Sequence, residues 1–185
     1  IYTRRNTLSL HDALPIFHPD VAKVALIGSV PTGRAVMKAA ADTLKPVTLE
    51  LGGKNALIAF PDADLEAVSA AVVDGMNFTW CGQSCGSTSR AFVHEKIYDA
   101  VLERVKNSVK RYKPGIPTDP ATTMGSIVSK VQYERVLGYI EKGQQEGAKL
   151  ALGGQRVMKE TGGFYIEPTV FDEVSHGMTI SREEI

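Results

Sequence analysis

Residues 21–33, VAKVALIGSVPTG, join an apolar run to a glycine-bounded turn that contains a proline. Val21 to Ile27 has the profile of a strand buried in a parallel sheet. Gly28 stops that run, Pro31 suits the first turn of a helix, and Arg34 to Leu44 continues as helix, closed before Pro46. A strand that passes through a tight turn into a helix belongs to an α/β fold if the pattern repeats along the chain.

It repeats. Val47 to Leu51 reads as a second strand, broken by Gly52-Gly53, and Asn55 to Phe60 as a third. Asp62 is placed to cap a helix, with Asp64 and Glu66 in its first turn, where the helix dipole favours negative charge. Leu65, Val68, Val72, Val73 and Met76 mark one face of that helix. A polar, glycine-rich turn from Cys81 to Ser89 leads to a strand at Ala91 to His94. Ile97, Val101, Val105 and Val109 recur at helical spacing until Pro114-Gly115. A loop with Pro117 and Pro120 opens a long helix over residues 126–146, and strands are expected at Lys149 to Leu152 and Phe164 to Phe171. Strands and helices alternate throughout, which argues an α/β architecture.

The first residues read differently. Ile1 to Phe17 carries Arg4-Arg5, Asn6, His11 and Pro15 without sustained periodicity, and it lacks the long apolar core and cleavage site of a signal peptide. The run YTRRNTLSLHDALPI resembles a translated sequencing-adapter read, so residues 1–17 are expected to be a non-native or disordered leader. At the other end, Ile185 closes an acidic-apolar stretch with no stop signal, and an internal piece of a longer subunit is expected.

Composition excludes several functions. Hydrophobic residues make up 43% of the 185, enough for a core, and charged residues 23%. Lys plus Arg (21) balance Asp plus Glu (21), leaving no electrostatic footprint for nucleic acid or an anionic membrane. No apolar run approaches the roughly 20 residues of a membrane-spanning helix. The two cysteines make no disulfide framework, which favours a reducing, cytoplasmic compartment.

Three features carry possible chemistry. Gly28-Ser29-Val30-Pro31-Thr32-Gly33 lies between strand and helix, a geometry that aims backbone N–H groups and a positive helix end at an anion. Its glycine spacing equals that of a Walker A loop, but Arg34 and Ala35 stand where Lys and Ser or Thr would grip phosphate and magnesium. The motif alone fits a phosphate perch and a ligand-free turn equally well. Cys85 is surrounded by small and polar residues, a setting for a reachable thiol, whereas Cys81 beside Trp80 fits an inert one. His11, His18, His94 and His176 are too scattered to complete a zinc site, so no metal is expected. Glu50 interrupts an apolar strand before two glycines; it is either an edge residue facing water or an acid whose burial would make it a general base.

In combination these motifs are more specific. Gly-Ser-x-x-x-Gly (28–33), Leu-Glu-Leu-Gly-Gly-Lys (49–54) and Gly-Gln-x-Cys (82–85), together with Asp-Ala-Asp-Leu (62–65), Pro-Thr-Val-Phe (168–171) and Glu-Glu-Ile (183–185), resemble the aldehyde dehydrogenase superfamily from about His18 onward. Trp80-Cys81 departs from the residues that many relatives carry there, which bears on the substrate tunnel rather than on a catalytic group. The resemblance implies the end of a Rossmann-type nucleotide-binding domain over residues 18–52, followed by most of an α/β catalytic domain over residues 53–185. It implies Cys85 as nucleophile and Glu50 as the base for thioester hydrolysis. It implies cofactor contacts from Gly28, Ser29, Gly33, Leu51, Gly52 and Glu184, the last to the nicotinamide ribose. The expected cofactor is NAD or NADP, the substrate a small aldehyde, and the assembly a homo-oligomer, dimer or tetramer. An acylating relative that uses coenzyme A in place of water, and an inactive structural or binding fragment, are the rival readings.

Overall fold

A computed structural model describes residues 14–185, so most of the expected leader lies outside the described residues. The chain divides into two compact units that meet in sequence at Gly52 and Gly53.

The first unit contains α1 (Leu14–Phe17), β1 (Val24–Gly28), α2 (Val30–Ala41) and β2 (Val47–Leu51). β1 and β2 pair in parallel, from Val24 beside Val47 to Gly28 beside Leu51. Ser29 caps α2 by accepting from the Thr32 amide, and Pro31 sits in the first turn. The helix stops at Ala41, three residues before the expected end, because the chain turns back there: Leu44 takes a left-handed φ of 53°. Ala39 and Ala40 are buried against Ile16, with Val24, Val36 and Val47 packed around them. Ile16 is only 3% exposed. Residues 14–17, within the expected leader, form a helical turn that supplies a core side chain. β1 is not buried on both faces as its apolar run suggested. Val24 and Leu26 are half-buried on the helix side, while Ala25 and Ile27 are exposed.

The second unit is built on β3 (Ala56–Ala59) and β4 (Arg90–Val93), again parallel, with α3 (Leu65–Asp74) and α4 (Glu95–Val109) packed together. Val101, Val105 and Val109 of α4 are almost fully buried against Val73, Phe78 and Met124. Asp64 rather than Asp62 caps α3, through a bond from the Ala67 amide of 2.8 Å, so the helix begins after the turn at residues 61–63. His94 is the cap of α4, not a strand residue: its Nδ1 accepts from the Lys96 amide. α5 (Lys130–Gln145) starts later than expected because Ser129 caps it. The apolar stretch read as one strand from Phe164 divides in two. β7 (Tyr165–Ile166) pairs with β6 (Arg156–Val157), and β8 (Val170–Asp172) pairs with β5 (Lys149–Leu152), both antiparallel. Pro168 lies between β7 and β8, and a proline donates no ladder bond. The chain closes with α6 (Thr179–Arg182).

Candidate active site

In the first unit the pairing register places Ile27 beside Glu50 and Gly28 beside Leu51. The Gly28-Ser29 turn and the Glu50-Leu51-Gly52 segment therefore share the carboxyl edge of the sheet, where parallel α/β sheets hold ligands. An α-helix leaves its first amides without intrahelical acceptors. Here the Ser29 hydroxyl takes that of Thr32, while Gly28, Ser29 and Val30 are exposed. A side chain at Gly28 would touch nothing nearer than Leu26, at 3.6 Å, so the turn is open to an anion the size of a phosphate. Gly33 serves another purpose. It is buried, and a Cβ there would stand 3.1 Å from both methyl groups of Leu51, so its lack of a side chain lets α2 lie close on β2. Glu50 is exposed within β2, so its role as a base rests on the family resemblance and not on burial in the strand.

In the second unit the thiol turn is assembled by backbone conformation. After α3 the chain takes left-handed φ values at Asn77 (55°), Cys81 (59°) and Gly82 (71°), flanking a short 3-10 turn over Phe78–Trp80. A residue larger than glycine adopts this region reluctantly, so the positions mark a constrained approach to the thiol. Ser87 is buried and donates to the Met76 carbonyl at 3.1 Å, and the Thr88 amide donates to the Gly75 carbonyl at 2.8 Å. Asn55 Nδ2 donates to the Cys85 carbonyl at 2.7 Å, and Gln83 Oε1 accepts from the Val128 amide at 3.0 Å. The amides of Gln83, Ser84, Gly86 and Ser87 bond within the turn, whereas that of Cys85 has no acceptor among the described residues.

The two cysteines differ as their contexts suggested. Cys85 is exposed. Cys81 is half-buried, donates to the Gly125 carbonyl at 3.2 Å, and burial pushes its thiol above the ordinary range. An open groove of about 510 Å³ runs past Trp80, Cys81, Gln83, Gly125 and Val128. Trp80 stands 65% exposed on its wall. Among the described residues no group of three His, Cys, Asp or Glu side chains is placed to hold a metal.

Glu184 is exposed at the end of the chain, on a segment held by α5: Arg135 donates to its carbonyl at 2.9 Å, and the Tyr139 hydroxyl donates to Glu183 at 2.8 Å. Its carboxylate is close enough to Lys54 to oppose the loss of that lysine's proton. Burial, with the Arg90 guanidinium adding to it, nevertheless brings Lys54 down to about 8. Asn55, Lys54 and Arg90 were not singled out from the sequence. Their one signal is position: the first two follow Gly52-Gly53, and Arg90 follows Cys85 by five residues.

The family model described as the aldehyde dehydrogenase family matches residues 11–185. Aldehyde dehydrogenase tropH of Talaromyces stipitatus is 52% identical over 174 residues, covering 91% of this chain and 34% of the fungal protein. A betaine aldehyde dehydrogenase of Sinorhizobium fredii is 52% identical over 173 residues, covering 93% and 35% respectively. The chain thus spans about a third of the length of these curated relatives. Among solved structures, a mutant of aldehyde dehydrogenase C from Pseudomonas syringae in complex with NAD+ and octanal superposes with a TM-score of 0.84 at 38% identity. That match covers 94% of this chain and 36% of the other.

Proposed function

The chain belongs to the aldehyde dehydrogenase family, and from that premise we propose that the protein it represents oxidises an aldehyde to a carboxylic acid with NAD+. The observation that carries the reading is the thiol turn: an exposed Cys85 whose carbonyl is held by Asn55 and whose amide has no acceptor among the described residues. The Cys85 thiolate attacks the aldehyde carbon, and the alkoxide of the resulting thiohemiacetal accepts from the Cys85 amide. Bound NAD+ supplies the acceptor for the hydride that leaves the thiohemiacetal carbon. Glu50 then takes a proton from water, which adds to the thioester and releases the acid with the thiolate restored.

Gly28 and Ser29, with the opening of α2, suit the cofactor phosphates, the backbone at Leu51 and Gly52 suits the nicotinamide, and Glu184 its ribose. Gly33 contributes by packing α2 onto β2. The relatives named above are aldehyde and betaine aldehyde dehydrogenases, which supports water rather than coenzyme A as the acyl acceptor. No helix among the described residues is long and apolar enough to cross a membrane. A cytoplasmic location, which rests on the sparse use of cysteine, and a homo-oligomeric assembly, which rests on family resemblance, belong to the same reading.

Cys85→Ser abolishes NADH formation from aldehydes and leaves NAD+ binding largely intact, because a hydroxyl is a far weaker nucleophile than a thiolate. Near-normal turnover of that variant overturns the assignment. Glu50→Gln retains a rapid burst of NADH and slows the following phase by about 10²–10⁴-fold. Loss of the burst would show that Glu50 acts before hydride transfer.

A further inference from the structure

Arg90 opens β4 five residues after Cys85, and its side chain reaches two segments that the backbone does not join. Nη2 donates to the Lys54 carbonyl at 2.6 Å, and Nη1 donates to the Ser181 carbonyl at 3.2 Å. The Arg90 amide also donates to the Asn55 carbonyl at 3.2 Å. Asn55 in turn holds the Cys85 carbonyl. Ser181 is 7% exposed within α6, three residues before Glu184. Arg90 Nε is buried without a partner among the described residues, and the guanidinium lies 5.6 Å from the Phe92 ring centroid.

We propose that Arg90 is a positioning residue that fixes the thiol turn and the ribose-binding segment to each other, through Lys54 and Asn55 to Cys85 on one side and through Ser181 to Glu184 on the other. This rests on the roles given above to Cys85 and Glu184. A planar guanidinium meets two carbonyls from separate segments at once, whereas an ammonium is a single point of charge on a flexible stem. Stability alone is a poor reason for the arrangement. The guanidinium sits close enough to the half-buried Lys54 to favour loss of that lysine's proton, and it leaves one of its own donors buried and unsatisfied. Arg90 touches neither of the reacting groups; it acts through the segments that carry them.

Arg90→Lys keeps the charge and removes the fork, with Arg104→Lys on the exposed face of α4 as control. In Arg90→Lys, alkylation of Cys85 by iodoacetamide and amide exchange over residues 182–185 both accelerate about tenfold, the scale expected for one lost charged hydrogen bond. Exchange within α4 stays at the wild-type rate. In the aldehyde assay KM for NAD+ rises about tenfold, with a smaller change in kcat. Acceleration at only one of the two segments, or at neither, overturns the proposal. If α4 also exchanges fast in Arg90→Lys, the same measurements on Arg90→Gln decide it. A wild-type protein without dehydrogenase activity would refute the functional reading and leave the alkylation and exchange results to judge Arg90.

Discussion

β1–β2 and β3–β4 are both parallel two-stranded pairs, yet the residues proposed for chemistry lie at opposite ends of them. In the first unit Gly28, Ser29, Leu51 and Gly52 sit where the strands finish, and α2 starts directly from the turn. In the second, Asn55 and the thiol turn sit where the strands begin. At the carboxyl edge, strand register and a helix opening are enough to shape the proposed anion site. At the amino edge no helix opens onto the turn, so side chains hold it: Asn55 on the Cys85 carbonyl, Ser87 on Met76 and Arg90 on Lys54. The cores differ too. The second unit buries a valine ladder of α4 against α3, whereas the first relies on Ile16 and two alanines beneath a two-stranded sheet with one open face. Such a pair is marginal by itself.

The contrast can be broken most directly by making one substitution in both units. Ile140→Ala, in the centre of α5, removes a side chain 6% exposed and is expected to cost about 3 kcal/mol in denaturant unfolding. Ile16→Ala is expected to cost less, about 2 kcal/mol, because a single helical turn can move into the space left. Equal costs would show that the first unit is as tightly consolidated as the second.

Close approach offers a smaller test. A Cβ at Gly75, where α3 ends, would run into Thr88 Oγ1 and stand 2.8 Å from the Ala71 carbonyl, so Gly75→Ala is expected to cost about 2 kcal/mol and to disturb the thiol turn through Thr88. Gly33→Ala meets only Leu methyl groups, which yield more easily, and should cost about 1 kcal/mol. Thermal unfolding checks both, and the reverse order would place the tighter packing in the first unit.

The smallest effect concerns α6, which carries the chain toward Glu184. Glu146 accepts from the Thr179 hydroxyl and amide, each at 2.6 Å, and these bonds, led by that of the hydroxyl, hold its carboxyl below the ordinary value of 4.5. A carboxyl lowered in the folded state contributes stability above its unfolded pKa and loses it as pH falls through the folded value. The protection of the amides of residues 179–182 relative to their intrinsic exchange rates should therefore fall on acidification below 4.5 in the wild type. In Glu146→Gln the same amides should be less protected at pH 7, and that protection should change little with pH. A parallel acid response in both proteins would remove Glu146 from the docking of α6.

Much of this was legible residue by residue. β2 and β5 fall where their patterns predict, and the Ile97–Val101–Val105–Val109 repeat is the buried face of α4, because burial of one stripe at helical spacing needs no knowledge of the partner. Boundaries shifted where a local cap outweighed the apolar pattern, as at Asp64, His94 and Ser129. The two cysteines were separable by context: a turn of small residues leaves Cys85 exposed, and the aromatic neighbourhood goes with the partly buried Cys81. Arg90, Asn55 and the core role of Ile16 were not legible, since each depends on a partner that sequence spacing does not reveal.

Alternating strands and helices, the glycine turn before α2 and the ordered motifs around Glu50 and Cys85 were determined by the sequence, because backbone propensity and hydrophobic period act over a few residues. Which end of each parallel pair carries the candidate chemistry, which carbonyls Arg90 grips and which amide of the thiol turn lacks an acceptor were decided only in the tertiary structure. Those features follow from register and from hydrogen bonds between residues 30 to 91 positions apart, and such bonds exist only once the segments have been brought together.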